Sequence, residues 1–182
     1  MASLLLTSPV QADELTDSLQ QFYENELSVW ATDPALVAAI TSQNRTTAQY
    51  SQTQIDELDG AWRVEVGQTN TPTITPILDN PTSDMLRDRI AEYNGQITEI
   101  FVMDSVGLNV AASDITSDFW QGDEAKFTET YGRGPGSIHI SDIELDESTQ
   151  RYQGQISVTI VDPSNGLAVG AMTIGVDADS LM

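Results

Sequence analysis

The chain has 182 residues, 40% of them apolar, enough for one domain with a real core. Twenty-eight acidic residues face seven basic ones, a formal net charge of −21. This excludes nucleic acid and anionic membrane surfaces as partners, since both are gripped through Lys and Arg. Cysteine is absent, which excludes disulfides, thiolate metal sites and cysteine nucleophiles.

Residues 1–12, MASLLLTSPVQA, carry no charged side chain, and Val10-Gln11-Ala12 fits a signal-peptidase site. The basic start is missing and the apolar run is short, so the expectation is a signal-peptide remnant and an exported protein. The alternative is a frayed terminus. No later stretch approaches the roughly 20 apolar residues of a membrane span.

Asp13 to Trp30 reads as an amphipathic helix, with Leu15, Leu19, Phe22, Tyr23, Leu27 and Trp30 at helical spacing. Asp33 is placed to cap a second helix, Ala35 to about Thr47, with Pro34 at its first position. Ser51 to Leu58 reads as one or two further helical turns, ended by Asp59-Gly60. Ala61 to Thr75 reads as a connecting segment with a short edge strand, because Trp62, Val64 and Val66 alternate. Asp84 to Tyr93 is a short helix stopped by Asn94-Gly95.

From Gln96 the apolar period changes to two. Strands are expected at about 96–103, 107–113, 136–144, 151–162 and 166–176, with a short helix from Gly122 to Thr130 between the second and third. The Asp162-Pro163-Ser164-Asn165-Gly166 turn marks the last two as a hairpin. Helices first and an antiparallel sheet second make an α+β fold: long N-terminal helices packed on five to six strands. Residues 13–60 are its helical part and 96–181 its sheet core, in one domain spanning 13–182.

The hairpin Gln96 to Ala112 feeds a polar loop holding Trp120 and Lys126, the one lysine of the chain. Lys126 is either a cation for a small carboxylate or a solvated lysine offsetting Asp123 and Glu124. Trp120 is a pocket wall or a core aromatic that pins the loop. Arg133, in Tyr131-Gly132-Arg133-Gly134-Pro135-Gly136, lies in a glycine-rich turn followed by a strand, so a phosphate loop is not indicated. His139, the one histidine, faces opposite to Ile138 and Ile140 on its strand, either as a pocket partner or exposed. Asp142, Glu144 and Asp146, like Asp56, Glu57 and Asp59, read as solvated acidic faces rather than calcium sites. No hydrolase or metalloprotease layout is present, so neither catalysis, a metal nor a cofactor is expected.

Three stretches carry a resemblance: Phe101 to Val110 with its Asp104-x-x-Gly107 turn, Ser117 to Phe127, and Ile156 to Leu181. In this order they resemble the single Cache (PDC-type) extracellular sensor domains, relatives of the PAS fold. The wording matches over about residues 96–181, the remainder in layout only. The resemblance implies a PAS/Cache-like sheet with a ligand pocket between the sheet and the Asp114–Arg133 cover, and a periplasmic or extracellular location. It implies a small organic ligand, with Trp120, Lys126, Arg133, Tyr131, His139 and Asp118 as candidate ligand-binding residues. Expected partners are that ligand, a signalling membrane protein or kinase, and a second copy packed through the N-terminal helix. Amino-acid-binding members carry Arg-x-Trp-Tyr where this chain has Glu124-Ala125-Lys126-Phe127, which favours a short carboxylate over an amino acid. Direct termination after the sheet fits either a domain excised from a receptor or a free-standing protein. A protein-interaction module with a collapsed pocket is the alternative function.

Overall fold

The computed structural model describes residues 9–146 and 151–181; the first eight residues of the expected signal-peptide remnant lie outside them. The leading helix changes type along its length, from α1 (Pro9–Phe22) to a π-helical stretch (Tyr23–Leu27) and a 3-10 turn (Ser28–Thr32). Its buried residues Leu19, Tyr23, Leu27 and Trp30 explain the change. They are spaced by four, four and three, and a wide turn followed by a three-residue turn keeps all of them on one side.

Asp33 caps α2 (Pro34–Thr47), accepting the N–H groups of Ala35 at 2.7 Å and Leu36 at 3.2 Å. Arg89 pairs with the same carboxylate and lies over the Trp30 ring, 4.6 Å from its centroid. Burial works to raise the Asp33 pKa, but the two backbone donors and Arg89 outweigh it, and the carboxyl is held below its ordinary value.

The third helix departs from the sequence reading. α3 runs from Gln52 to Glu65, opened by a Ser51–Gln54 capping box, and Asp59-Gly60 does not end it. Ile55, Asp59, Trp62 and Glu65 are its buried side, so the helical period overrides the alternation of Trp62, Val64 and Val66. Val64 and Val66 are exposed. The supposed edge strand is therefore helix and loop. Asp59, read as solvated, is buried. A short α4 (Thr75–Leu78) and α5 (Pro81–Glu92) follow, the latter capped by Asn80 and closed by Asn94 and Gly95 at positive φ.

The sheet has the order β2 (Asn109–Ala112), β1 (Ile97–Met103), β6 (Leu167–Asp177), β5 (Arg151–Asp162), β3 (Ile138–Ile140). A short β4 (Glu144–Asp146) pairs beside β3 on β5, so the expected 136–144 strand is two pieces. Every described pairing is antiparallel. This is the expected α+β, PAS/Cache-like architecture. Because direct partners share a face, the register puts Ala112, Phe101, Thr173, Ser157 and His139 in one row across the sheet.

The back face is apolar. Ile100, Val102, Ile156, Val158, Ile160, Met172, Ile174 and Val176 pack against Leu19, Leu27, Trp30, Leu36, Ile40 and Leu86 of the helices. Each such side chain contributes about 1.5–3 kcal/mol of burial. The front face carries the row above and lies under α6 (Ala125–Thr128) and a 3-10 turn, Tyr131–Arg133.

Candidate functional site

The site is the front face of β1, β6, β5 and β3 together with the 114–133 cover. Along β5, Gln153, Gln155, Ser157 and Thr159 occupy every second position. Such alternation ordinarily marks a solvent face, yet Gln153, Ser157 and Thr159 are buried, as are Thr173 on β6 and Glu99 on β1. Their polar atoms find partners. The Ser157 and Thr173 hydroxyls bond each other at 3.0 Å, and Thr159 donates to the Gly134 carbonyl at 2.9 Å. The Glu99 carboxylate accepts the amides of Gln153 at 3.0 Å and Gln155 at 3.1 Å. A buried face built this way trades apolar gain for hydrogen-bonding capacity.

The cover is held at both ends. On the hairpin side, Asp104 is wholly buried and accepts the N–H groups of Val106 at 2.9 Å and Leu108 at 3.0 Å, closing the Asp-x-x-Gly turn. Gly107 sits at φ 87°, and a Cβ there would lie 2.5 Å from the Gly122 Cα. Trp120 bridges to Leu108, donates its indole N–H to the Val106 carbonyl at 2.8 Å, and covers Gly122, where a Cβ would lie 2.3 Å from the indole nitrogen. The indole is thus clamped to the turn and its one donor is used.

On the other side, α3 is the anchor. Asp59 accepts the N–H groups of Phe119 at 2.9 Å and Trp120 at 3.0 Å. Arg63 bridges Asp59 at 2.8 Å and Asp118 at 2.9 Å, so the Asp118 carboxylate is turned to α3. Trp62 donates to the Thr116 carbonyl at 2.8 Å and stacks on Phe119 with centroids 5.1 Å apart. Further along, Glu65 accepts the N–H groups of Thr73 and Ile74. Burial works to raise its pKa, but its bonds with the Thr73 side chain and these two N–H groups outweigh it and hold the carboxyl low.

Over the sheet, Lys126 lies with its Nζ 5.4 Å from the Phe101 ring centroid, its side chain 17% exposed. It contacts Glu124 at 2.9 Å and donates to Gln121 at 3.2 Å. Phe127 and Tyr131 stack at 5.2 Å, and Thr130, wholly buried, donates to the Lys126 carbonyl at 2.6 Å. α6 packs across β3, β5 and β6, and the 3-10 turn across β5 and β6. Arg133, largely exposed, pairs with the partly exposed Glu129 at 2.9 Å, a pairing worth little energetically. His139 is half-buried opposite Ser157.

Of the six candidate residues, Lys126, Tyr131 and His139 therefore lie about the hydroxyl row. Trp120 and Asp118 belong to the anchoring of the cover, and Arg133 is engaged with Glu129. Sequence reading missed the row itself, Glu99, Gln153, Gln155, Ser157, Thr159 and Thr173. The strict polar alternation of β5 was the signal available. The side chains assembled here are hydroxyls, amides, one ammonium, a carboxylate and aromatic rings, a set suited to hydrogen-bonding and packing on a small polar molecule. Among the described residues no cluster of His, Asp and Glu is arranged to hold a metal, and no helix is long and apolar enough to cross a membrane.

Neither a protein-family model nor a curated relative matches the chain. Solved structures do. The sensory domain of the Campylobacter jejuni chemoreceptor Tlp3 with isoleucine bound is similar at 15% identity over 96% of this chain and 65% of that one, TM-score 0.43. The ligand-binding domain of the Pseudomonas fluorescens chemoreceptor CtaA with L-alanine is similar at 9% identity over 93% and 58%, TM-score 0.39. The sensor domain of the Vibrio cholerae histidine kinase DctB is similar at 10% identity over 94% and 59%, TM-score 0.41. The chain thus spans less than two thirds of the length of each of these three structures.

Proposed function

We propose that this chain is a sensory ligand-binding domain of the single-Cache type, exported to the periplasm or the cell exterior, whose ligand is a short carboxylate such as a keto or fatty acid. The observation that carries the reading is the buried hydroxyl pair Ser157–Thr173, set between Phe101 and His139 beneath a cover that brings the sole lysine over the same row. Function here is binding, with no bond made or broken. The carboxylate draws Lys126 from the more exposed Glu124, a charge-assisted contact about twice as strong as a neutral one. Ser157, Thr173 and Tyr131 supply hydroxyls, and Phe101 and Phe127 receive the apolar tail.

Relay follows from what the site touches. The cover is tied to α3 through Asp59 and Arg63, and the back of the same strands packs on the leading helix. A ligand that favours one arrangement of the cover shifts that equilibrium only by its differential affinity. The partner reading the shift is a signalling membrane protein or kinase, and the leading helix is the surface through which a second copy would pack.

Thermal unfolding with pyruvate and propionate tests this. A specific ligand stabilises by RT ln(1 + [L]/Kd), about 2.7 kcal/mol at a hundredfold excess over Kd. Stabilisation of the wild type that is lost in Lys126→Ala supports the reading. No stabilisation, or equal stabilisation of the variant, overturns it. The burial of Phe119 and Phe127 and the stacking of Phe127 on Tyr131 favour one rival, a collapsed pocket serving as a protein-binding scaffold. That rival predicts no small-molecule response.

A further inference from the structure

A concavity lies between α2 and the α4–α5 segment, with Leu58 of α3, Leu108, Val110 of β2 and Phe119 also lining it. It is an open groove of about 670 Å³, within the range of small-molecule sites. None of the residues lining it is an acid or a base, in a chain that has 28 acids and seven bases. Its walls combine hydroxyls and amides with proline rings and the apolar side chains of Ala39, Leu58, Ile77, Leu108, Val110 and Phe119. Among the described residues, the hydroxyls of Ser42, Thr46, Tyr50 and Thr82 make no hydrogen bond within the protein. Pro72, Pro76 and Pro81 also line it, and Tyr50 is half-buried.

The groove's chemistry excludes most occupants in turn. An added peptide strand needs the free edge of β2, but that edge is already met by side chains. Asn80 donates to the Val110 carbonyl, Gln43 to the Asn109 carbonyl, and Ser83 accepts the Ala112 N–H at 3.0 Å. An anion needs donors at the start of α5, where Asn80 already accepts the N–H groups of Thr82 at 3.0 Å and Ser83 at 2.9 Å. A cation finds no carboxylate in the lining. A purely apolar ligand would strip water from the hydroxyls of Ser42, Thr46, Tyr50 and Thr82 without replacing its bonds. A neutral polyhydroxylated molecule meets every condition. Its hydroxyls both donate and accept, as those of Ser42, Thr46 and Thr82 do. Its C–H faces pack on Tyr50 and the proline rings.

We propose that the groove is a second ligand site, for an uncharged polyhydroxylated molecule of mono- or disaccharide size. The test is amide NMR titration of the whole chain with glucose, maltose and trehalose in one arm, and acetate and ethanolamine in the other. At least one sugar is expected to shift the amides of Ser42, Thr46, Tyr50 and Thr82, with neither charged probe doing so. Tyr50→Ala is expected to weaken that sugar about tenfold, and Thr46→Val, on the exposed helix face, to weaken it without altering the fold. Absence of shifts with every sugar, shifts driven by the charged probes instead, or unchanged sugar affinity in both variants would overturn the proposal.

Discussion

The sheet's two faces are written by the same strands, residue by residue, and they are built to opposite rules. Behind, Ile156, Val158 and Ile160 of β5 and Met172, Ile174 and Val176 of β6 bury hydrocarbon against the helices. In front, the intervening residues Gln153, Ser157, Thr159 and Thr173 are as well buried but bond to one another, to Glu99 of β1 and to the Gly134 carbonyl. An apolar face is the cheaper way to hold a cover down, since burying polar groups yields little net gain even when they are satisfied. Behind the sheet hydrocarbon burial dominates, whereas in front the paired polar groups share the surface with Phe101, Met103, Ala112 and Ala171 of a second apolar cluster.

Breaking the two faces separately should show it. The largest effect is expected behind the sheet. Ile156→Ala, at a wholly buried position, should lower stability by about 2–5 kcal/mol in urea denaturation, while the folded fraction keeps the proposed carboxylate response. An intermediate effect is expected at the anchor of the cover. Asp59→Ala leaves the Phe119 and Trp120 N–H groups without their acceptor and should cost about 1–3 kcal/mol. Hydrogen exchange at those two amides should quicken while the back-face strands stay protected. The smallest effect on stability belongs to the front face. Replacing both partners, Ser157→Ala with Thr173→Val, removes a hydroxyl pair without orphaning either member and should move the unfolding midpoint little. The same double variant should lose the carboxylate response.

Much of this contrast was legible in the chain, but not evenly. The strand–turn–strand of β1 and β2 and the Asp162–Gly166 hairpin announced themselves because local turn chemistry dictates them: Asp104 closes its own turn and Gly107 must take positive φ. Asp33 caps α2 as its position indicates, whereas α5 begins at Pro81 under an Asn80 cap, three residues before the expected start at Asp84. What misled was α3, where Asp59-Gly60 looks like a stop. Tertiary packing overrides that local signal, because Ile55, Asp59, Trp62 and Glu65 fall on one helical side that the cover completes. Burial of the polar row was hidden for a related reason. Alternation reveals two faces, but only the distant cover decides whether the polar one meets water. The Asp118 carboxylate, read as a ligand group, faces Arg63 on α3, a neighbour 55 positions earlier in the chain that no local pattern announces.

The central claim, that the front face is where a ligand sits, is tested most directly by mapping amide shifts as pyruvate or propionate is titrated into the wild-type chain. Shifts concentrated on Phe101, Lys126, Tyr131, His139, Ser157 and Thr173, and abolished in Lys126→Ala, are the predicted result. A response absent with both acids, or confined to residues off this row and its cover, would contradict it.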